Sequence, residues 1–528
     1  MAEERPGSTA STAEARAASG PVLALSAAIA LLGAFVWRFV LGLELLGWDS
    51  YPMIAAGRVR DLGEFFGTFG EKLMDGRFPH GDYYRPIAHF AFALDHALYG
   101  LEPWGYHLTD LVILAASAGL CCAFAARAFG GLAGAAAAGL AWVLHPAHFE
   151  VVTAAPRRAD ALAVLFLLAA LVLEAGRKTG RVALGRSLVT ACLCALSIGS
   201  KETGAVAPVV LFVFAACSTE GGIRARLGAA LARTGPALGA VLGMLALRTA
   251  VLGGLGGDRN VSLLAGLTDL PATAVFFARE LARGPLWASS DAGTSAALVL
   301  LAGLVVFAVL LVALARSERG RTSGARLSIG AGAWLVLLWF GVVVAISGVS
   351  GLEHAWYSLP ALAAWAVACG LVVAAGTRAL HAGRTRLGAG ALALGTGLVA
   401  LNAAGAPPLR AAPELSAASA LQRTLLERVE RELAGARPGD RILIEGFPRR
   451  LDATHTDGSA RRVYLATYYS LEAYAELTHP ELPVRVELPT KASAAARPDV
   501  VLVVFVPAER PGAARTPDEL DESNEPLR

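Results

Sequence analysis

The feature that most constrains this chain is its division into apolar blocks of roughly 17–25 residues, each long enough to cross a hydrocarbon core about 30 Å thick as a helix. They recur near 21–43, 105–127, 131–147, 159–175, 184–200, 202–218, 234–252, 294–315, 328–348, 356–376 and 387–405. A backbone in lipid has no water to bond, so each block must close its own N–H···O=C bonds as a helix. The predicted fold is therefore mainly α, a polytopic bundle of about eleven transmembrane helices. Of 528 residues, 55% are apolar and 17% charged, where a soluble domain carries about a quarter charged. Many blocks are rich in Ala and Gly, which suits close helix contact in lipid. The first block is long, lacks a small-x-small cleavage site and follows a mixed-charge tail, so an uncleaved span is expected.

Orientation follows from basic residues in short loops. Alternate loops hold four Lys or Arg in 176–186, three in 219–233, four in 316–326 and three in 377–386. The opposite loops offer Arg157, Arg158 and Lys201. The first set is read as cytoplasmic. Eleven spans then put the N-terminal tail, 1–20, inside and the C-terminal region outside, in a bacterial-type inner membrane. Two regions outside are too long to be connectors. Residues 44–104 form a first outer loop with amphipathic stretches near 53–76 and 86–100, suited to the membrane interface. Residues 406–528, beyond the transmembrane module of 21–405, read as a small α/β domain with a disordered acidic end. Helices are expected over 414–435 and 463–478 and strands over 441–447 and 499–507.

The six cysteines, Cys121, Cys122, Cys192, Cys194, Cys217 and Cys369, lie in or beside apolar blocks without metal-finger spacing. They read as packing residues. The net charge of +3 gives no sign of nucleic-acid binding. The polar chemistry gathers at the outer ends of spans, where ionisable groups are costly and tend to be functional. Six clusters share that face: Trp48-Asp49-Ser50-Tyr51, Asp82-Tyr83-Tyr84-Arg85-Pro86, Trp104-Gly105-Tyr106-His107, His145-Pro146-Ala147-His148-Phe149-Glu150, Ser200-Lys201-Glu202, and Glu353-His354-Ala355-Trp356-Tyr357-Ser358-Leu359-Pro360.

In this order the clusters resemble the GT-C superfamily of polyprenyl-phosphate-sugar glycosyltransferases. The likeness is strongest to the bacterial relatives of the transmembrane, tetratricopeptide-repeat O-mannosyltransferases. The shared pattern is an acidic pair after span one, a Tyr-Arg-Pro segment and a Gly-Tyr-His opening of span two. His-Pro-x-His-x-Glu and Ser-Lys-Glu turns follow, then a late Glu-Arg-x-x-Tyr-x-Pro segment. The resemblance covers roughly residues 40–220 and, less fully, 350–362. Here the acidic pair is Asp49-Ser50, His354 replaces the late Arg, and no repeat domain follows.

The resemblance implies an inverting membrane hexosyltransferase. Its donor would be a polyprenyl-phosphate sugar, with mannose as the suggested sugar, and its acceptor a protein hydroxyl or a glycolipid of the cell envelope. Such a transfer needs a base for the acceptor hydroxyl and positive groups for the departing phosphate. The resemblance gives the base to Asp49; an N-cap or interfacial carboxylate is the structural reading. Arg85 and Lys201, with His354, are the expected phosphate partners. Arg85 snorkelling to headgroups, and Lys201 with Glu202 solvating a turn, remain open readings. Tyr84, His107, His148, Glu150, Glu202 and Tyr357 are candidates to line the substrate site. The histidines equally read as span caps or interface residues. His145, His148 and Glu150 lack a further ligand, and Pro146 breaks zincin spacing, so no metal and no other cofactor is expected. Two rivals stand: a scaffold of the same family that has lost catalysis, and a multi-pass transporter or flippase of envelope glycolipids. Inverted repeats and midplane charges, marks of a transporter, are not evident.

Overall fold

A computed structural model describes residues 8–78, 81–177, 184–254, 256–258, 263–286, 327–349, 355–405, 413–445, 450–454, 460–487 and 500–504. The expected span at 294–315, the basic loop 316–326, Glu353, His354 and the acidic C-terminal end lie outside the described residues.

The helices are α1 (Ser8–Trp37), continued by a 3₁₀ turn to Gly42, α2 (Ser50–Ala56), α3 (Leu62–Gly67), α4 (Pro86–Tyr99), α5 (Pro103–Phe129), α6 (Leu132–Val143), α7 (Phe149–Val152), α8 (Arg158–Ala175), α9 (Leu184–Ser200), α10 (Val206–Ser218) and α11 (Ile223–Leu252). They continue with α12 (Leu263–Thr268), α13 (Leu270–Leu286), α14 (Ile329–Val349), α15 (Leu359–His381), α16 (Thr385–Gly405), α17 (Pro413–Leu433) and α18 (Tyr468–Thr478). The protein is a mainly helical, multi-pass membrane protein. Among the described residues, six helices are long and apolar enough to cross a bilayer, and three shorter apolar helices accompany them.

That count is below the eleven expected, for identifiable reasons. Helix α6 has 12 residues, short of a full crossing at 1.5 Å per residue, and α9 with 17 stands at the lower limit of a spanning helix. Arg158, Asp160 and Glu174 charge the two ends of α8. Helix α13 was not anticipated, because Arg279, Glu280 and Arg283 interrupt its apolar run. Helix α11 starts eleven residues before the block expected at 234, at Ile223, since Arg224, Arg226 and Arg233 are good helix formers despite their charge.

Helix α15 is the bundle's axis. It packs on α6, α16 and α14, and nearly its whole apolar length is buried. Helix α5 lies between α1, α6 and α8, while α9 bridges α8 and α11. A crossing of backbone on backbone joins α6 and α15. A Cβ on Gly134 would come 2.7 Å from the Gly370 carbonyl oxygen, and one on Gly370 2.8 Å from that of Gly134. Ala138 and Ala374 flank the contact, so small residues four apart let two backbones touch where lipid offers no hydrophobic push.

Beyond α16, β3 (Arg441–Glu445) lies between β6 (Arg485–Glu487) and β7 (Val500–Val504) in a parallel sheet. An antiparallel hairpin joins β4 (Arg450–Thr454) to β5 (Ala460–Tyr464). The described strands stop at Glu445 and Val504, two and three residues before the ends read from the sequence, and α18 starts at Tyr468 rather than 463, because β5 runs to Tyr464 and the capping box at Thr467 starts the helix. Two short strands, β1 (Gly81–Asp82) and β2 (Gly257–Asp258), tie the long loop after α1 to the chain beyond α11.

Gly370→Val should force the α6–α15 crossing apart and destabilise the protein by about 1–3 kcal/mol, as overpacking does. Thermal unfolding in detergent reads this. Gly390→Ala is the control, since nothing lies within 4 Å of a Cβ there.

Candidate active site

Alternation of the helices brings the C-terminal ends of α1, α6, α9 and α11 together with the N-terminal ends of α5, α8, α10 and α15. At this end the chain breaks its helices where polar residues need a wall of their own. The α9–α10 break is set by Lys201, whose backbone is extended at φ −159° and ψ 152°. Gly204 lets the chain fold back at once: a Cβ there would lie 2.3 Å from the Ser197 carbonyl. Lys201 and Glu202 thereby project into one space although they adjoin in sequence.

Asp49 precedes α2 and is half-buried. Its Oδ1 accepts the Tyr469 hydroxyl at 2.7 Å, and Oδ2 has no hydrogen-bond partner among the described residues. Burial pushes this carboxyl above the usual range; the Tyr469 hydrogen bond and the charges of Arg85, Arg157 and Lys201 pull against it. Asp49 thus feels three cations from three separate parts of the chain, Arg85 and Lys201 included.

Each cation is held by an acid. Glu202 takes Nη2 of Arg85 at 2.9 Å and Nη1 of Arg248 at 2.7 Å. Lys201 Nζ bonds Asp160 Oδ2 and lies 4.0 Å from the Tyr357 ring centre. Arg157 pairs with Glu150 at 2.7 Å and stacks 4.0 Å over Trp356, with Tyr464 at 5.3 Å. The Arg85 guanidinium stands 4.7 Å from the Tyr83 ring.

Other predicted residues face elsewhere. Tyr84 donates to the Phe69 carbonyl at 2.7 Å. His107 Nε2 meets the Glu44 carbonyl at 3.1 Å, and His148 Nε2 the Trp142 carbonyl at 2.8 Å. A carbonyl can only accept, so both rings carry the proton on Nε2, and both are fully buried. His145 caps the following turn through the Ala147 N–H. These four brace the walls. Among the described residues, no three His, Cys, Asp or Glu side chains stand together as metal ligands.

Sequence reasoning missed five groups: Asp95, Asp110, Asp160, Arg248 and Tyr469. Buried Arg158 joins Asp95 at 2.6 Å and Asp110 at 2.6 Å, with Nη2 on the Tyr106 carbonyl at 2.8 Å. This triad pins the start of α8 to α4 and α5, and so helps to place Arg157, one residue before, and Asp160, two residues after. The signal was present: Asp95, Asp110 and Asp160 are carboxylates in apolar surroundings, which mark a partner to be sought. Arg157 and Arg158, read as basic residues against the charge rule, are engaged by protein carboxylates.

The fold and site together define a multi-pass membrane helix bundle with a compact set of paired charges at one end. Comparison with known proteins gives the nearer likeness. No family model matches the chain. It is 37% identical over 108 residues to Protein O-mannosyl-transferase TMTC2 of Mus musculus and equally to that of Homo sapiens, a stretch that is 20% of this chain and 13% of those relatives. The chain therefore shares only about an eighth of the relatives' length. Among solved structures, ArnT from Cupriavidus metallidurans bound to undecaprenyl phosphate aligns at a TM-score of 0.44 and 15% identity, covering 88% of this chain and 85% of that one. The apo oligosaccharyltransferase of Archaeoglobus fulgidus aligns at 0.45 and 12% identity, covering 89% and 65%. What the comparisons give is a partial sequence similarity to the O-mannosyl-transferases.

Arg158→Met leaves Asp95 and Asp110 buried without their cation and should destabilise the protein by about 3–5 kcal/mol. Thermal unfolding in detergent measures it. Adding Asp95→Asn and Asp110→Asn should return most of the loss.

Proposed function

We propose that this protein is a membrane glycosyltransferase that moves a sugar, mannose in the simplest reading, from a polyprenyl-phosphate donor to an acceptor hydroxyl with inversion. Asp49 is the general base. The observation that carries this reading is its setting: a half-buried carboxylate with one oxygen unpartnered among the described residues, held within the field of Arg85, Arg157 and Lys201. The ordered motifs and the partial similarity to the O-mannosyl-transferases support it.

The chemistry follows from the charges. The acceptor oxygen attacks the anomeric carbon as Asp49 Oδ2 takes its proton. The bond to the phosphate breaks on the opposite face, and its electrons leave with the lipid phosphate. That group departs as an anion and needs no acid. Arg85 and Lys201, with His354, receive the phosphate; Glu202 and Asp160 hold the two cations until it arrives, and Arg248 joins Arg85 through Glu202. A guanidinium fork that grips a carboxylate has the geometry to grip a phosphate. Tyr357 and Glu150 steady Lys201 and Arg157, and Tyr84, His107 and His148 keep the surrounding wall in place.

The same reading sets the protein in an inner membrane with about eleven spans over 21–405, its N-terminal tail, 1–20, cytoplasmic, and the site and the α/β region of 406–528 outside. The fourteen basic residues of the alternate loops support this orientation. The acceptor is a protein Ser or Thr, a lipid-linked glycan, or a lipid A-like glycolipid. Glycan mass spectrometry of a deletion strain distinguishes them.

Asp49→Asn should lower turnover by about 10²–10⁴-fold, the range a positioned base supplies, with donor affinity little changed. Because burial raises the Asp49 carboxyl, the wild-type rate should fall with acid at a pH above that of a free carboxylate, as the base becomes protonated. Unchanged product in Asp49→Asn would leave a scaffold or a transporter as the reading.

A further inference from the structure

The segment that carries Asp49 is bonded to the C-terminal α/β unit almost residue by residue. The Glu44 amide donates to Ser419 Oγ at 2.9 Å, and its carboxylate accepts Arg423 Nε at 2.7 Å. The Gly47 amide donates to the Tyr464 carbonyl at 3.0 Å. The Trp48 carbonyl accepts the Ser470 hydroxyl, and Asp49 accepts that of Tyr469. These ties come from three elements, α17, β5 and the first turn of α18. Rings seal them: Trp48 on Tyr464 with centres 4.8 Å apart, and Tyr51 on Tyr474 at 5.1 Å.

The α18 turn is itself rigid. Thr467 and Ser470 close a capping box, each side chain meeting the other's backbone, while Ser470 also reaches Trp48. A capping box satisfies helix N–H groups that would otherwise need water. Tyr469 is buried in this turn, and its hydroxyl is directed at Asp49. A surface that merely rested on the bundle would not bond the main chain at Gly47 and Trp48. Their ring packing and hydrogen bonds make the unit a wall of the site.

We propose that Tyr469 is the positioning residue for the base, so that the C-terminal α/β unit is a built part of the reaction centre. The proposal rests on the reading of Asp49 as general base. Tyr469 ties down Oδ1, fixes the carboxylate plane, and leaves Oδ2 for the acceptor hydroxyl. A base oriented by a third group is a recurrent device in catalysis. The groups facing Asp49 are Tyr469 as donor and Arg85, Arg157 and Lys201 as charges. The Tyr469 bond stabilises the ionised carboxylate, and its loss makes Asp49 easier to protonate.

The test uses membranes from a strain lacking the chromosomal copy and expressing the full chain, given polyprenyl-phosphate [³H]mannose, with label read in the endogenous acceptors. Tyr469→Phe should lower the rate at saturating donor ten- to a hundredfold and leave half-saturation unchanged. Its acid limb should move to higher pH. 3,5-Difluorotyrosine at position 469, a stronger donor that keeps the hydroxyl, should move that limb to lower pH. A packing role alone would move neither limb. Wild-type rate and profile in Tyr469→Phe, with Asp49→Asn inactive, overturns the positioning role and leaves the base in place. A faster Tyr469→Phe overturns it too, by making Tyr469 a plug on the site. Full transfer by Asp49→Asn, or none by the wild-type chain, sinks the underlying reading. Should Tyr469→Phe fail to accumulate, the fluorotyrosine protein decides: an unmoved limb rejects the proposal.

Discussion

The buried cations at the loop-bearing end are neutralised where they stand, and the geometry of that end follows from the need. An ion removed from water loses several kcal/mol of hydration, so a buried guanidinium or ammonium is kept only with partners at contact. Arg158 has two, Asp95 and Asp110, and its position fixes the start of α8. Arg157, one residue before it, pairs with Glu150, and Asp160, two residues after it, pairs with Lys201. Lys201 in turn fixes Glu202, which collects Arg85 and Arg248. The site is a chain of ion pairs seeded at the start of one helix.

This arrangement keeps the site poised without a ligand. Four cations, Arg85, Arg157, Lys201 and Arg248, are held by three carboxylates, Glu150, Asp160 and Glu202, and rings of Tyr83, Trp356 and Tyr357 cover the first three. A dry, low-dielectric setting strengthens each pair and penalises any group left alone. The side chains proposed to receive the phosphate are thus the ones whose ion pairs hold this end of the fold together. Asp49 stands apart as the acid whose direct partner among the described residues is a neutral hydroxyl, Tyr469.

Small residues do the opposite work in the membrane. Where α6 meets α15, Gly134 and Gly370 bring backbone to backbone. The gain there is packing, since lipid chains are as apolar as leucine side chains. The same bundle thus uses glycine to close distances between helices and charge to set directions at their ends.

The sequence by itself determined the material of the protein: apolar blocks of spanning length, the helices they must form, and the collection of Asp49, Arg85, Glu150, Lys201, Glu202 and Tyr357 at helix ends. Those are local properties, since hydropathy and length act within one segment. Helix ends were less legible where charge interrupts an apolar run, as at Arg279 and Glu280 in α13 or Arg224 in α11. Which residues touch was decided only by tertiary structure. Glu202 holds Arg85 across 117 residues of chain, and Tyr469 meets Asp49 across 420. No periodicity encodes such a pair. It exists because buried charges and hydroxyls must find partners in three dimensions, and the fold brings those partners from far along the chain.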